Sequence, residues 1–583
     1  MGVYKVKGTR MLALFLACAS AFGFACGGGH KHDFSCKVEE EKYLKSAASC
    51  QDAARYYYSC ECGEKGDKAF PVGKKLVHDY SAKTETDEYL KTAADCQNNA
   101  QYFYSCIYCG KKSYSFFESE KPGDHNCINE VADAKYLKSE ATLETSAVYY
   151  KSCVCGLVGT ETFSYGTPLR EYTDEEKAFY MPTSLTMSLY DTQTATYGFT
   201  YNTQNEPLRP VIQVAKGENL TDCVEYVARV EKATSYETQT QSFTYYIVKA
   251  EVPLEDSTTY TYRAYDKYVD VGTEPVTIQT KNLKAESFTF AHVSDSQSSE
   301  NVGDFFGGVL KNLVGKSDFV VHTGDVVEDS KLEPEWKNML NTNFAYLSKI
   351  PVMAISGNHE TTYKNGSNET YKHFNQKITE QDTKLGYYYS FTYGNAKFIM
   401  LNTNRLTGNA LTDDQYDWLI GELENNTATW TFVAMHNPMY SAGTYGSDPS
   451  RNQISLSLRG QLQSIFAEYG VDVVLQGHDH VVSHTHPISG TGSPLPTAWE
   501  TVGGVEYVTD PSGVIYEMSG PAGKQTRSPN SNMSSSLYHK AQQSYMCSWA
   551  EFAIDGNKLT VTHKYTNMTS VSEYTQWGII KSA

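Results

Sequence analysis

Five apolar stretches between Ser287 and His480 each run straight into a small group of side chains able to bind a metal or carry a proton. SFTFAHVSDSQ ends at Asp295 and Gln297, and DFVVHTGD ends at Gly324-Asp325. IPVMAISGNHE ends at Gly357-Asn358-His359-Glu360, TWTFVAMHNPM reaches His436, and VDVVLQGHDH closes on Gly477-His478-Asp479-His480. Short apolar runs bounded by turn residues read as buried strands. The segments around them carry helical periodicity: Val302, Phe305, Phe306, Val309, Leu310, Leu313 and Val314 share one face, as do Leu458, Leu462, Ile465, Phe466 and Tyr469. Thr412 and Gln415 fit a capping box before DQYDWLIGEL. YYYSFTY and AKFIML read as a hairpin turning at Gly394-Asn395. Strands alternating with amphipathic helices predict a layered α/β domain over 285–583. Ligands in open α/β sheets gather at the carboxyl ends of strands, and glycine there lets the backbone turn sharply. Five strands would thus deliver Asp, Asp, Asn, His and His-x-His to one rim.

Oxygen and imidazole donors without thiolates suit Mn, Fe, Zn or Mg. Two such ions ~3.5–4 Å apart, bridged by a carboxylate, can hold both the attacking and the leaving oxygen of an in-line phosphoryl displacement. Asp295 and Asp325 supply two negative charges and the other donors none, so two divalent ions would leave a net charge of about +2. The whole chain carries a formal charge of −18, with 50 Lys+Arg against 68 Asp+Glu. Such a surface excludes a nucleic-acid backbone as partner, and the metal pair would be a local trap for a small phosphate ester.

This ordered set resembles the calcineurin-like metallophosphoesterase superfamily, most closely its purple-acid-phosphatase-like branch, over roughly residues 183–583. The resemblance implies a four-layer α+β domain holding two metal ions (Fe, Mn or Zn). One would be held by Asp295, Asp325 and His480. The other would be held by Asp325, Asn358, His436 and His478, which makes Asp325 the bridge. Gln297 would either add an amide oxygen or fill space. His359 would contact the phosphate and protonate the leaving alkoxide, with metal-bound hydroxide as the nucleophile. Coloured members have GDxxY, whose tyrosinate binds ferric iron; Val326-Val327-Glu328 stands there in this chain, so no purple band is expected. The expected activity is phosphomonoester hydrolysis. The alternatives are a phosphodiesterase or nucleotidase on the same site, or a surface adhesin whose phosphoesterase domain is inactive. Glu328, His484 and His486 are expected near the site or in its walls rather than as ligands.

Before this domain, residues 181–281 show period-two runs rich in Thr, Tyr and Val: TATYGFTYN, PVIQVAK, FTYYIVKAEV and TYTYRAYD. These predict an antiparallel β sandwich. The segment Leu254–Arg263 resembles the closing strand of the fibronectin-type-III-like module that precedes the catalytic domain in purple acid phosphatases.

Residues 30–170 repeat three times. His32, His78 and His125 open the copies; YLKSAASC, YLKTAADC and YLKSEATL come next; Cys60/Cys62, Cys106/Cys109 and Cys153/Cys155 close them. Cys60 to Cys106 spans 46 residues and Cys106 to Cys153 spans 47, a register that marks tandem modules. Ten of the 14 cysteines lie between Cys36 and Cys155. Modules this small need staples. Disulfides are one solution; the other is structural zinc, for which Cys96, Cys106, Cys109 and His125 offer a C…CxxC…H spacing. The repeats resemble Cys-containing modules of bacterial surface proteins, which implies a spacer role or contacts at a cell surface.

Residues 1–26 read as an export signal, with Lys5, Lys7 and Arg10 ahead of the apolar run Met11–Ala25. Cleavage after Ala19-Ser20-Ala21 would give a secreted protein. A lipid on Cys26 would instead give a membrane-attached lipoprotein. The expected architecture is therefore multidomain: signal, three Cys-rich repeats, an all-β sandwich and a metallophosphoesterase domain, placed outside the cytoplasm.

Overall fold

The computed structural model describes residues 32–582 apart from 95, 97, 123–124, 143–144, 169, 298–301, 362–368, 383–386 and 449. The export signal and Cys26 lie outside the described residues. The chain divides into two compact units, Met1–Tyr89 with Tyr102–Ser113, and Leu90–Gln101 with Tyr114–Ala583. Among the described residues no helix is long and apolar enough to cross a membrane.

Within the larger unit, residues 287–580 build two stacked sheets. The first has eight strands, with Val352–Ala354, Phe319–His322 and Ser287–Val293 parallel to one another at one side. The second has seven, and its central strands Ala396–Met400, Trp430–Met435, Val473–Gln476 and Ile515–Ser519 are parallel. Alternation along each strand sorts the side chains between two layers. Phe290 faces inward, stacked 4.7 Å from Phe552 and edge-on to Phe398 and Phe432 of the second sheet at 5.0 and 5.2 Å. Its neighbour Ala291 faces outward, into a core shared with Phe306, Leu310 and Leu313 of helix Val302–Leu313 and with Trp336 and Met339 of helix Glu333–Thr342. Helices Asp413–Glu424 and Gln453–Glu468 cover the second sheet through Trp418, Leu419, Leu458, Leu462 and Phe466. The result is helix, sheet, sheet, helix.

The hairpin forms as expected, Tyr389–Tyr393 pairing with Ala396–Met400 around Gly394. The capping box does not. Thr412 makes no side-chain cap to its helix, because Gln415 turns inward and brackets Asn402, accepting from its N–H at 2.7 Å and donating to its carbonyl at 3.0 Å. The Gln415 amide is thereby committed to a buried main-chain N–H and C=O that would otherwise be costly to leave unpaired.

Residues 183–279 form two antiparallel sheets, one of four strands and one of five. Phe199 of one packs on Tyr262 of the other at 4.8 Å.

In the repeats each copy has a three-residue helical turn, a short strand and two longer strands, beginning at Glu41, Asp87 and Ala134. The zinc set read from the sequence is not brought together. Main-chain bridges join Ala82 to Ser105 and Asn129 to Ser152. Each ties the residues just after a histidine to the residue just before a cysteine turn, so His78 belongs with Cys106 and Cys109, and His125 with Cys153 and Cys155. Of the disulfides the sequence allows, Cys60–Cys62 is the one formed among the described residues.

Candidate metal centre

The three parallel strands of the first sheet and two of the second end at the same rim, where their terminal residues meet. Asp325 Oδ2 lies 3.2 Å from His436 Nε2, and Asn358 Oδ1 lies 3.0 Å from that same nitrogen. Ligand atoms of Asp325, His436 and His478 all fall within 4.8 Å of one another. Asp295 Oδ1 is 3.2 Å from His480 Nε2, and both its oxygens accept from the main-chain N–H of His478 at 3.1 and 2.9 Å. Gln297 Nε2 is 3.4 Å from Asp325 Oδ2. His359 Nε2 stands 3.8 Å from that oxygen, while its main-chain N–H donates to Asp325 Oδ1 at 2.9 Å. All eight residues picked out in the sequence are thus neighbours.

Close backbone approach makes the cluster possible. A Cβ on Gly357 would sit 2.0 Å from Asp325 Oδ1, and one on Gly477 would sit 2.1 Å from the Ser294 hydroxyl. Asp295, Asp325, His478 and His480 all have positive φ, at 52°, 55°, 72° and 38°. Left-handed backbone at a non-glycine residue costs of order 1–3 kcal/mol and persists where surrounding structure enforces it, characteristically at functional sites.

The ring orientations suit coordination. His436 Nδ1 donates to the Thr323 carbonyl at 2.8 Å and His480 Nδ1 to the Gln525 carbonyl at 3.0 Å, which aims each Nε2 at the carboxylates. This is the outer-shell arrangement typical of metal-bound imidazoles. His478 packs 5.1 Å from His436 and 4.1 Å from Tyr445. Burial, reinforced by His436, pushes it down to about 3, so it is held as the neutral form a metal requires. Burial works against protonation of His436 too, but the Asp325 and Asp295 carboxylates outweigh it and push that histidine up to about 9. Burial alone would raise both aspartates; instead the facing histidines, His480 for Asp295 and His436 for Asp325, hold them below the usual carboxylate range. Gln297 Oε1 is buried without a hydrogen-bond partner in the protein, so a carbonyl oxygen is available beside Asp325. Carboxylate, amide oxygen and imidazole with no thiolate is a donor set that fits Mn, Fe or Zn.

Several contributors carried no role in the sequence reading. Glu360 is fully buried, and its carboxylate gathers the main-chain N–H groups of Asp325, Val326 and Gly357 at 2.8, 2.8 and 2.7 Å. It thereby locks two of the strand-end turns together. Asp479 accepts from the N–H groups of Thr444 and Tyr445 and the Ser441 hydroxyl, which fixes Tyr445 against His478. An acid directly after GNH was a usable signal for Glu360; Tyr445 sits in the short helix Thr444–Ser447 and Gln525 in a loop, both without any motif. The Glu328 carbonyl accepts from His359 Nδ1 and its carboxylate from Gln525 Nε2. His484 and His486 join an aromatic cluster with Trp499, His539 and Trp577.

Residues 288–482 match the family model for calcineurin-like phosphoesterases. Purple acid phosphatase 23 of Arabidopsis thaliana is 25% identical over 301 residues, 46% of this chain and 60% of that protein. Acid phosphatase type 7 of Homo sapiens is 25% identical over 234 residues, 36% of this chain and 50% of that protein. The chain thus spans 60% or less of the length of these relatives. A solved purple acid phosphatase from yellow lupin seeds shares the fold, with a TM-score of 0.58 over 75% of this chain and 80% of that one at 15% identity.

Proposed function

The chain carries a calcineurin-like phosphoesterase domain, and from that premise we propose that it is an exported phosphatase that hydrolyses small phosphomonoesters at a two-metal centre. The observation that supports the reading is the position of Asp325: its Oδ2 lies 3.2 Å from His436 Nε2, a nitrogen that Asn358 Oδ1 also reaches, and 3.4 Å from Gln297 Nε2. That is the place for a bridging ligand. Asp295 and His480 would complete one metal position; Asn358, His436 and His478 would complete the other. Metal ions held there supply Lewis acidity and an activated water.

The chain's own residues do the rest. His359 Nδ1 is committed to the Glu328 carbonyl, which turns its Nε2 toward Asp325 Oδ2 at 3.8 Å and so toward a substrate held there. From there it would hold a phosphate oxygen and pass its proton to the departing alkoxide. Export is supported by the signal pattern of residues 1–26. The fibronectin-III-like reading of residues 181–281 is supported by their two antiparallel sheets.

The test is the purified full chain, loaded in turn with Mn, Fe and Zn and offered chromogenic monoester and diester substrates. Monoester turnover is expected, and Asp325→Asn should abolish turnover and metal retention together. A chain that holds metal yet turns over neither substrate would sink the proposal, and a strong diester preference would replace the substrate class.

A further inference from the structure

The cysteine repeats gather two four-residue clusters that the phosphatase reading does not use. In one, ligand atoms of Cys50, His78, Cys106 and Cys109 lie within 4.8 Å of one another; in the other, Cys96, His125, Cys153 and Cys155 do the same. Both are built alike. The histidine and the closing cysteine pair come from one copy, and the remaining cysteine comes from the YLKSAASC or YLKTAADC segment of the copy before it. We propose that each cluster is a structural zinc site shared between consecutive repeats, so that metal fastens every copy to its neighbour.

Three observations carry this. The first is geometric. Tetrahedral zinc with Zn–S of ~2.3 Å and Zn–N of ~2.0 Å puts its ligand atoms about 3.5–3.8 Å apart. Cys50 Sγ lies 3.7 Å from Cys106 Sγ, and Cys96 Sγ lies 3.2 Å from Cys153 Sγ. His78 Nδ1 is 3.4 Å from Cys109 Sγ, and His125 Nδ1 is 3.4 Å from Cys155 Sγ. The second is the local turn. Gly110 and Gly156 come directly after the cysteine pairs with φ of 71° and 88°, and their N–H groups donate back to the carbonyls of Cys106 and Cys153 at 2.8 and 2.9 Å. The tight turn points both sulfurs of a pair to one side. The Leu157 N–H also donates to Cys155 Sγ at 3.4 Å, a bond that stabilises a thiolate.

The third observation is where the pattern stops. The third copy has Leu143 at the position of Cys50 and Cys96, and the chain then enters the β sandwich rather than a fourth copy. A cysteine serving its own copy would have been needed there as much as elsewhere. One serving the next copy has no partner. Among the described residues the first copy's His32, Cys60 and Cys62 form a cluster of three groups, and its two cysteines are joined to each other. Three sulfurs and an imidazole also fit disulfide chemistry poorly, since a pair would leave one thiol facing the histidine. Soft thiolate with imidazole is a zinc donor set, quite unlike the oxygen-rich set around Asp325. Binding releases the thiol protons, so affinity falls in acid. Modules too small to bury a core of their own gain their stability in this way.

The experiment uses the full chain, purified without reductant. Zinc is counted by elemental analysis, and cobalt replaces it so that thiolate coordination shows as sulfur-to-cobalt charge-transfer bands in the near ultraviolet, which a site without sulfur cannot give. Cys50→Ser and Cys96→Ser are each expected to remove about one zinc per chain and half the cobalt–thiolate signal, with monoester turnover unchanged. Leu143→Cys should add no zinc. Disulfides Cys50–Cys106 and Cys96–Cys153 mapped in the wild-type chain, with no cobalt–thiolate bands, would overturn the proposal. A third zinc in Leu143→Cys would overturn the assignment between copies. The cobalt spectrum of the wild type stands even if a serine variant fails to fold, and the zinc count, cobalt spectrum and disulfide map do not depend on phosphatase activity.

Discussion

Gly357→Ala isolates the part of the site that depends on backbone proximity alone. The added Cβ would lie 2.0 Å from Asp325 Oδ1 and 2.3 Å from the Asp325 nitrogen, where ordinary contact starts at 3.4 Å. Relief requires the carboxylate to retreat by about 1.4 Å, and misplacing a reacting group by 1 Å can cost ~10²-fold in rate. The retreat would also break the bond from the His359 N–H to Asp325 Oδ1 and stretch the approach of Oδ2 to His436. Both proposed metal positions share Asp325, so metal retention should fall with rate. Overpacking of this kind costs ~1–3 kcal/mol, which a domain with two stacked sheets can absorb. The expected result is a folded protein with kcat/KM reduced ~10²-fold or more and depleted metal after dialysis. Gly460→Ala is the control: its Cβ meets nothing within 4 Å on helix Gln453–Glu468, so activity should hold and stability rise by ~0.5–1 kcal/mol. A Gly357→Ala protein with undiminished rate and metal content would refute the placement of Asp325 as a bridge fixed by that approach.

His359→Ala should keep its metals and lose ~10²–10⁴ in rate, most severely on esters with poor leaving groups, as removal of a general acid does; full activity on such an ester refutes the role. The iron-loaded protein should show no visible tyrosinate band, because Glu328 stands at the GDxxY tyrosine position; a purple solution refutes that. Glu333 is buried beside Asn202 and His373, and burial, only partly offset by Lys337, pushes its carboxyl up to about 7 from 4.5. A raised carboxyl stabilises the folded state in acid, and that contribution is lost as pH climbs from 4.5 through 7. At ~1.4 kcal/mol per unit the loss is about 3 kcal/mol. Glu333→Gln keeps the neutral shape, so its urea midpoint should overtake the wild type's above pH 7; parallel midpoints across that range would refute the assignment.

How much the sequence disclosed depends on the range of the interactions involved. The strand-end site residues were legible because a parallel strand carries its register in its own apolar run and its chemistry in the next few residues, as in DFVVHTGD. Glu360 was signalled only as an acid after GNH, and Thr323 and Gln525 not at all, because each acts through main-chain groups brought together only by the fold: Glu360 on the N–H of Asp325 from 35 residues away, and Gln525 through a carbonyl 45 residues beyond His480. The left-handed backbone of Asp295, Asp325, His478 and His480 was hidden for the same reason. Composition points to glycine for such turns, and here the site residues themselves take the strain. Thr412 and Gln415 show the converse failure, a local capping pattern overruled by a buried amide at Asn402. In the repeats the cysteine spacing was plain, but its grouping was not. Sequence proximity pairs Cys96 with Cys106, whereas the bridges at Ala82 and Asn129 assign each histidine to the next cysteine turn along the chain. A motif that closes across a repeat boundary is invisible within any one copy. Leu143, at the place where the series ends, was the one sequence position that pointed to it.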